Sequence, residues 1–236
     1  RVIKRLNEAS PLDIIPTFMG AHAFPPEYLG SQPKYIDLIC EEMIPAVTEE
    51  KLAEYCDVFC ENGYFSVEDS RRILETAQKH GLTPRLHADE FVDSGAAELA
   101  AEIGAVSADH LMAVSETGIQ AMAEAGVIAT LLPGTTLFLG KQEYAPGRKL
   151  IDQGCEVALA TDFNPGSCTL QSMPIIIFLA TLYCGLSIEE AFTAATWNGA
   201  KAINRESNIG AVAEGCQADL LFWEASSIEE IPYWLG

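Results

Sequence analysis

Positive charge and histidine are both scarce in this chain. Lysine and arginine number 14 among 236 residues against 34 acidic ones, a formal net charge of −20. That balance argues against nucleic acid or an anionic membrane surface as partner. Seven cysteines, Cys40, Cys56, Cys60, Cys155, Cys168, Cys184 and Cys216, include no Cys-x-x-Cys pair. A disulfide framework and a thiolate zinc site are therefore not expected, all seven read as small buried hydrophobes, and a reducing cytoplasm is the simpler home. No apolar run is long enough to span a bilayer and no signal peptide is visible. No Gly-x-Gly-x-x-Gly follows a strand-like run and there is no Walker loop, so a nucleotide-binding open sheet lacks support. The four histidines, His22, His80, His87 and His110, include no His-x-His pair. The chain opens Arg1-Val2-Ile3-Lys4 without methionine, and the expectation is a fragment or processed product.

What is present is an apolar chain with a regular beat. Hydrophobic residues make up 49% and charged residues 20%, enough to bury a large core in one α/β barrel or a large part of one. Strand-like runs fall at 13–19, 55–60, 85–88, 106–110, 127–133 and 156–162, with Tyr35 to Val47 helical in spacing between the first two. Four helical stretches each close on a glycine, at Gly81, Gly104, Gly126 and Gly154, just before the next apolar run. Ser66-Val67-Glu68-Asp69 and Ser187-Ile188-Glu189-Glu190 look like capping boxes, the second opening a helix to about Ile203. Repeated helix-strand steps demand a parallel sheet with helical crossovers, either an open sheet or a (β/α) barrel.

Polar residues at strand ends favour the barrel. Arg85-Leu86-His87-Ala88-Asp89-Glu90 ends a strand in an imidazole, a helix-start acid and a spare carboxylate. His22, Glu61, His110 and Asp162 close other strands in the same way, and in a barrel those C-terminal ends converge on one face. Plainer readings exist for each: a loop histidine for His22, a solvated loop acid for Glu61, a helix-end cation for His80, a core histidine partnered by Asp109 for His110, and a turn-capping acid for Asp162.

Gly20-Ala21-His22-Ala23, His87-Ala88-Asp89-Glu90, Asp109-His110 and Thr161-Asp162-Phe163-Asn164-Pro165-Gly166-Ser167 occur in that order over the chain, and together they resemble the amidohydrolase superfamily. The resemblance implies an incomplete TIM (β/α)8-type barrel holding strands three to eight over residues 1–205. Residues 206–236 would return toward a small β-sandwich, with 218–223 strand-like. It implies one metal ion, zinc or iron, held by His87 from the fifth strand and Asp162 from the eighth. Asp162, His110 and Glu90 would be the catalytic groups, with Glu90 and His110 flanking the attacking water and the ring. His22, Glu90, Asn164, Gly166 and Ser167 would contact the substrate. The implied activity is hydrolysis of a cyclic amide, with a cytosine- or guanine-type deaminase as the first alternative and a catalytically silent scaffold as the second. The implied partner is a small molecule, in a homodimer when full length. The family's first-strand His-x-His pair has no counterpart here, which places strands one and two outside this chain.

Overall fold

The structure is a computed structural model that describes residues 1–234. Six strands, β1 (Thr17–Ala21), β2 (Tyr55–Cys60), β3 (Thr83–Ala88), β4 (Ser107–His110), β5 (Ile128–Leu131) and β6 (Val157–Leu159), form one sheet in sequence order. Every neighbouring pair is parallel, because each connection carries helix that returns the chain to the same end. The sheet is six strands of an eight-stranded barrel. Among the described residues, β1 and β6 each keep one edge without a strand partner.

Alternation along β3 shows how the layers arise. Pro84, Leu86 and Ala88 are buried on the face that meets the helices, while Thr83, Arg85 and His87 are partly open on the other. Register puts Asp57, Arg85 and Ser107 in one row and Phe59, His87 and Asp109 in the next, with Thr130 beside Asp109. The barrel interior is thus polar. The hydrophobic core lies outside it, where Ile73, Leu74, Leu99, Ile119, Met122 and Leu150 pack between sheet and helices.

The helices obey the local signals. Ser66 accepts a hydrogen bond from the Asp69 amide to open Val67–Lys79, and Ser187 with Glu190 forms a reciprocal capping box before Ile188–Ala195. Gly81, Gly104, Gly126 and Gly154 all have positive φ, the conformation that ends a helix and that glycine takes without a Cβ penalty. In β1 the register shifts between Phe18 and Ala21. A Cβ on Gly20 would lie 2.5 Å from Cζ of Phe18, so a larger residue at this bulge would have to displace that ring.

Several expected boundaries move. The first strand begins at Thr17 rather than Asp13, and helix Val2–Ala9 precedes it. The run Gln32–Glu49 is helical throughout, with a π turn at Ile39–Met43. Helix Ala96–Glu102 starts two residues after Ser94. Helix Pro133–Phe138 follows β5, where proline serves as the first helical residue. The expected single helix from Ser187 to Ile203 breaks at Thr196 (φ −122°, ψ −85°) into Ile188–Ala195 and Trp197–Lys201. Residues 218–223 form no strand: they run irregularly with Leu221 and Phe222 exposed, since no neighbouring backbone among the described residues offers ladder partners. Six cysteines are buried, and Cys216 is partly exposed. Among the described residues, no helix is long and apolar enough to cross a membrane.

Candidate active site and metal centre

The C-terminal ends of four strands bring the expected residues to one face. His22 follows β1, Glu90 lies two residues past β3, His110 ends β4, and Asp162 follows β6. His87 lies one residue before the end of β3. The His22 and His87 rings are 4.5 Å apart edge to face, and those of His87 and His110 are 5.1 Å apart. His110 Nδ1 is 3.7 Å from Glu90 Oε1. A cleft of about 220 Å³ opens beside Glu90, lined also by Phe91, Met112, Ala113 and Lys141.

Backbone strain collects at the same place. Asp89 (φ 47°), His110 (φ 77°), Leu111 (φ 60°) and Asp162 (φ 51°) are all left-handed without being glycine. Each such residue costs on the order of 1–3 kcal/mol and persists where the surrounding structure fixes it. At Asp89 the fixing is visible. Its carboxylate accepts from the amides of Ser94, Ala96 and Ala97 and from the Ser94 hydroxyl, satisfying free donors at the start of helix Ala96–Glu102. That is the helix-start role the sequence suggested.

Electrostatics separates the remaining groups. Burial opposes protonation of His87, but the Asp57 carboxylate overcomes it and its pKa rises to about 9. For His110, burial and then the neighbouring His87 lower the pKa to about 3, so its ring is neutral at pH 7. Burial, opposed by His87 and aided by Asp162 and Glu61, raises Glu90 to about 7.

Two groups that sequence reasoning passed over complete the arrangement. Asp57 Oδ1 is 2.8 Å from His22 Nε2 and 2.8 Å from His87 Nδ1. The second contact is out of line for a hydrogen bond, which leaves the buried Nδ1 without one. Thr135 donates its hydroxyl to Asp162 Oδ2 at 2.6 Å. A charged residue inside a strand buried at every position was the available signal for Asp57. For Thr135 it was Pro133-Gly134-Thr135-Thr136, a polar helix start at a strand end.

Three expectations need correction or refinement. Glu61 is not solvated. It is buried, and it accepts from the amides of Asn62 and Phe91, each at 2.8 Å, tying two loops together. Asp109 is not the partner of His110; its Oδ2 lies 3.4 Å from Arg85, whose Nε also donates to Ser107. Asn164 spends its side chain on its own loop. Oδ1 accepts from the amides of Gly166 and Ser167, and Nδ2 donates to the Asp162 carbonyl and the Ser167 hydroxyl, an Asx-type turn.

The donor set suits a metal ion in part. His87 and Asp162 offer an imidazole nitrogen and a carboxylate oxygen, a combination that serves zinc and iron alike. His22, Asp57 and His87 also bring one potential ligand atom each within 4.8 Å of one another. Two donors from this chain are fewer than the three protein ligands usual for a catalytic zinc.

A parallel barrel with carboxylates and imidazoles at its strand ends defines the class of hydrolytic (β/α)8 proteins. The model of the amidohydrolase family matches residues 65–233, and the chain belongs to that family. It is 52% identical over its full length to an imidazolonepropionase of Bacteroides thetaiotaomicron and 54% identical to one of Clostridium tetani. It spans 57% and 56% of those proteins. Among solved structures, a 5-methylcytosine deaminase from Klebsiella pneumoniae with 5-fluorocytosine matches 98% of this chain and 62% of its own at 19% identity, with a TM-score of 0.76. A guanine deaminase from C. acetobutylicum matches 91% and 57% at 19% identity, with a TM-score of 0.69. These two share the fold.

Proposed function

We propose that the protein carrying this chain is an imidazolonepropionase, hydrolysing the cyclic amide of 4-imidazolone-5-propanoate to N-formimidoyl-L-glutamate in histidine breakdown. The observation that carries this reading is the identity of about one residue in two, over every part of the chain, to proteins of that name. A zinc or iron ion would supply Lewis acidity that makes water a nucleophile at neutral pH. His87 and Asp162 are the residues of this chain that would hold it.

The side chains then divide the work. Asp162, with one oxygen fixed by Thr135, takes the proton of the attacking water and passes it to the departing ring nitrogen as the amide C–N bond breaks. His110, neutral because it is buried, donates an N–H to the oxygen that gains charge. Glu90, poised near neutrality, holds a ring nitrogen or the attacking water. His22 contacts the substrate, and Asn164 shapes the loop that brings Gly166 and Ser167 to the product side. In this reading residues 1–205 are barrel and 206–236 return toward a small β-sandwich. The whole protein is a cytoplasmic homodimer acting on a small molecule.

The test uses the full-length protein. Imidazolone propionate is consumed with formation of formimidoyl-glutamate and no free ammonia, whereas ammonia released from cytosine or guanine would make it a deaminase. Asp162→Asn lowers turnover by ~10²- to 10⁴-fold while the fold is kept, the range for a lost general base. His87→Ala loses metal and turnover together, and His110→Ala loses turnover alone. Equal metal loss in both would overturn the assignment of His110 to the substrate.

A further inference from the structure

Glu61 is buried directly after β2, yet nothing in the proposed reaction uses it. Burying a carboxylate is costly unless hydrogen-bond donors replace the water it loses. Here the donors are backbone amides. Oε1 accepts from Asn62 at 2.8 Å, and Oε2 accepts from Phe91 at 2.8 Å, with the Val92 amide at 3.5 Å. Asn62 belongs to the turn that Glu61 itself opens, whereas Phe91 and Val92 lie in the irregular segment after β3. The side chains of Phe91 and Val92 are both exposed, so apolar burial does little to hold that segment. The contact with Glu61 is what ties it to the barrel.

The residue that this contact holds is Glu90, because the Phe91 N–H belongs to the peptide unit joining residues 90 and 91. The unit on the other side of Glu90 is held as well, since the Asp89 carbonyl accepts from the Ala113 amide at 2.8 Å. A planar peptide leaves a residue only φ and ψ to vary, so pinning both flanking planes fixes the direction of the Glu90 Cα–Cβ bond. Along that direction Glu90 reaches the cleft of about 220 Å³ and brings its Oε1 3.7 Å from His110 Nδ1. We propose that Glu61 is a positioning residue that aims the Glu90 side chain into the cleft by locking the peptide between residues 90 and 91. Both of its oxygens are engaged as acceptors. Glutamine has one acceptor oxygen, and its amide group would turn N–H toward N–H at Asn62 or at Phe91. The proposal rests on the reading of Glu90 as a group that touches substrate.

The experiment is a double-mutant cycle in the full-length protein, with Glu61→Gln, Glu90→Gln and the two together assayed on imidazolone propionate, and with amide hydrogen exchange at Phe91 beside it. Glu61→Gln is expected to keep its metal content and to lower kcat/KM by ~10-fold, whereas in the Glu90→Gln background the same change should cost less than about twofold, because both act on one side chain. A merely structural loss would be the same in the two backgrounds. The Phe91 amide of wild type should exchange slowly for so exposed a segment, and Glu61→Gln should speed it by ~10-fold or more. If Glu61→Gln does not fold, a backbone ester at position 91, with oxygen in place of the N–H, removes the same hydrogen bond with Glu61 intact and is carried through the same cycle. Equal losses in both backgrounds, kcat/KM within about twofold of wild type for Glu61→Gln, or free exchange of the Phe91 amide in wild type each overturn the proposal. Full activity of Glu90→Gln removes Glu90 from the reaction and the positioning role with it. Wild type that leaves imidazolone propionate untouched sinks the functional reading instead, and the exchange at Phe91, which needs no substrate, then decides whether Glu61 holds the segment.

Discussion

Glu90 is the residue whose setting makes the clearest statement about pH. Its carboxyl is raised from an ordinary 4.5 to about 7, first by burial and then by the nearby carboxylates of Asp162 and Glu61, against the pull of His87. The folded protein therefore binds this proton more tightly than the unfolded chain. The stability contributed by the protonated form is fully present below pH 4.5 and is lost as pH rises through about 7. Glu90→Gln cannot ionise. In metal-free protein, its thermal midpoint should stay level relative to wild type in acid and gain on it from pH 4.5 to 7, remaining higher at pH 8. Parallel midpoint curves would show that Glu90 titrates like an exposed acid. The sequence exposed Glu90, His110 and Asp162 because each breaks an apolar run at a strand end, where the chain is free to turn a polar group toward the barrel mouth. It hid Asp57, because a side chain in mid-strand declares its neighbours only once β1 and β3 are laid beside it. Glu61 was misread for a related reason: the amide of Phe91 that it accepts is thirty residues away.

Elements were legible where their signals are local. The αL glycine that closes a helix and the serine that opens one depend on a few adjacent residues, and Gly81, Gly104, Gly126 and Gly154 with Ser66 and Ser187 appear where expected. Elements decided by distant partners were not. The run 218–223 has strand composition but no strand beside it, and the break at Thr196 follows no proline or glycine. The capping box at Ser187 gives a direct check on the local kind. Ser187 Oγ accepts from the Glu190 amide at 3.2 Å, and Glu190 Oε2 accepts from the Ser187 amide at 2.8 Å. Ser187→Ala should destabilise the protein by about 1 kcal/mol, the typical loss for such a cap, without altering turnover. Chemical denaturation reads this as a lower midpoint at unchanged slope. A change under about 0.3 kcal/mol would mean that tertiary packing alone holds Ile188–Ala195.

At the scale of the whole molecule, the six-stranded sheet raises the question of what closes it. A barrel has no edges, whereas here β1 and β6 each leave a row of backbone donors and acceptors without a strand partner among the described residues. The interior rows carrying Asp57, Arg85, His87 and Asp109 face the gap. Asp109 Oδ1 and Thr130 Oγ1 are buried there without a hydrogen bond. At the other end of the chain, Val212, Leu221 and Phe222 are 88%, 81% and 93% exposed, a run of apolar surface that calls for a cover. A polypeptide of residues 1–236 expressed alone should accordingly be poorly soluble or self-associating, and should retain little zinc with only His87 and Asp162 to hold it. It should not open imidazolone propionate. Supplying the remainder of the full-length polypeptide, in one chain or as a separate segment, should restore solubility, zinc content and turnover together, because strand pairing and ligand completion are the same event in a barrel. Light scattering and metal analysis of the two preparations decide the point. A soluble, monomeric, zinc-loaded and active 236-residue protein would mean that six strands suffice and that other residues of this chain complete the metal shell.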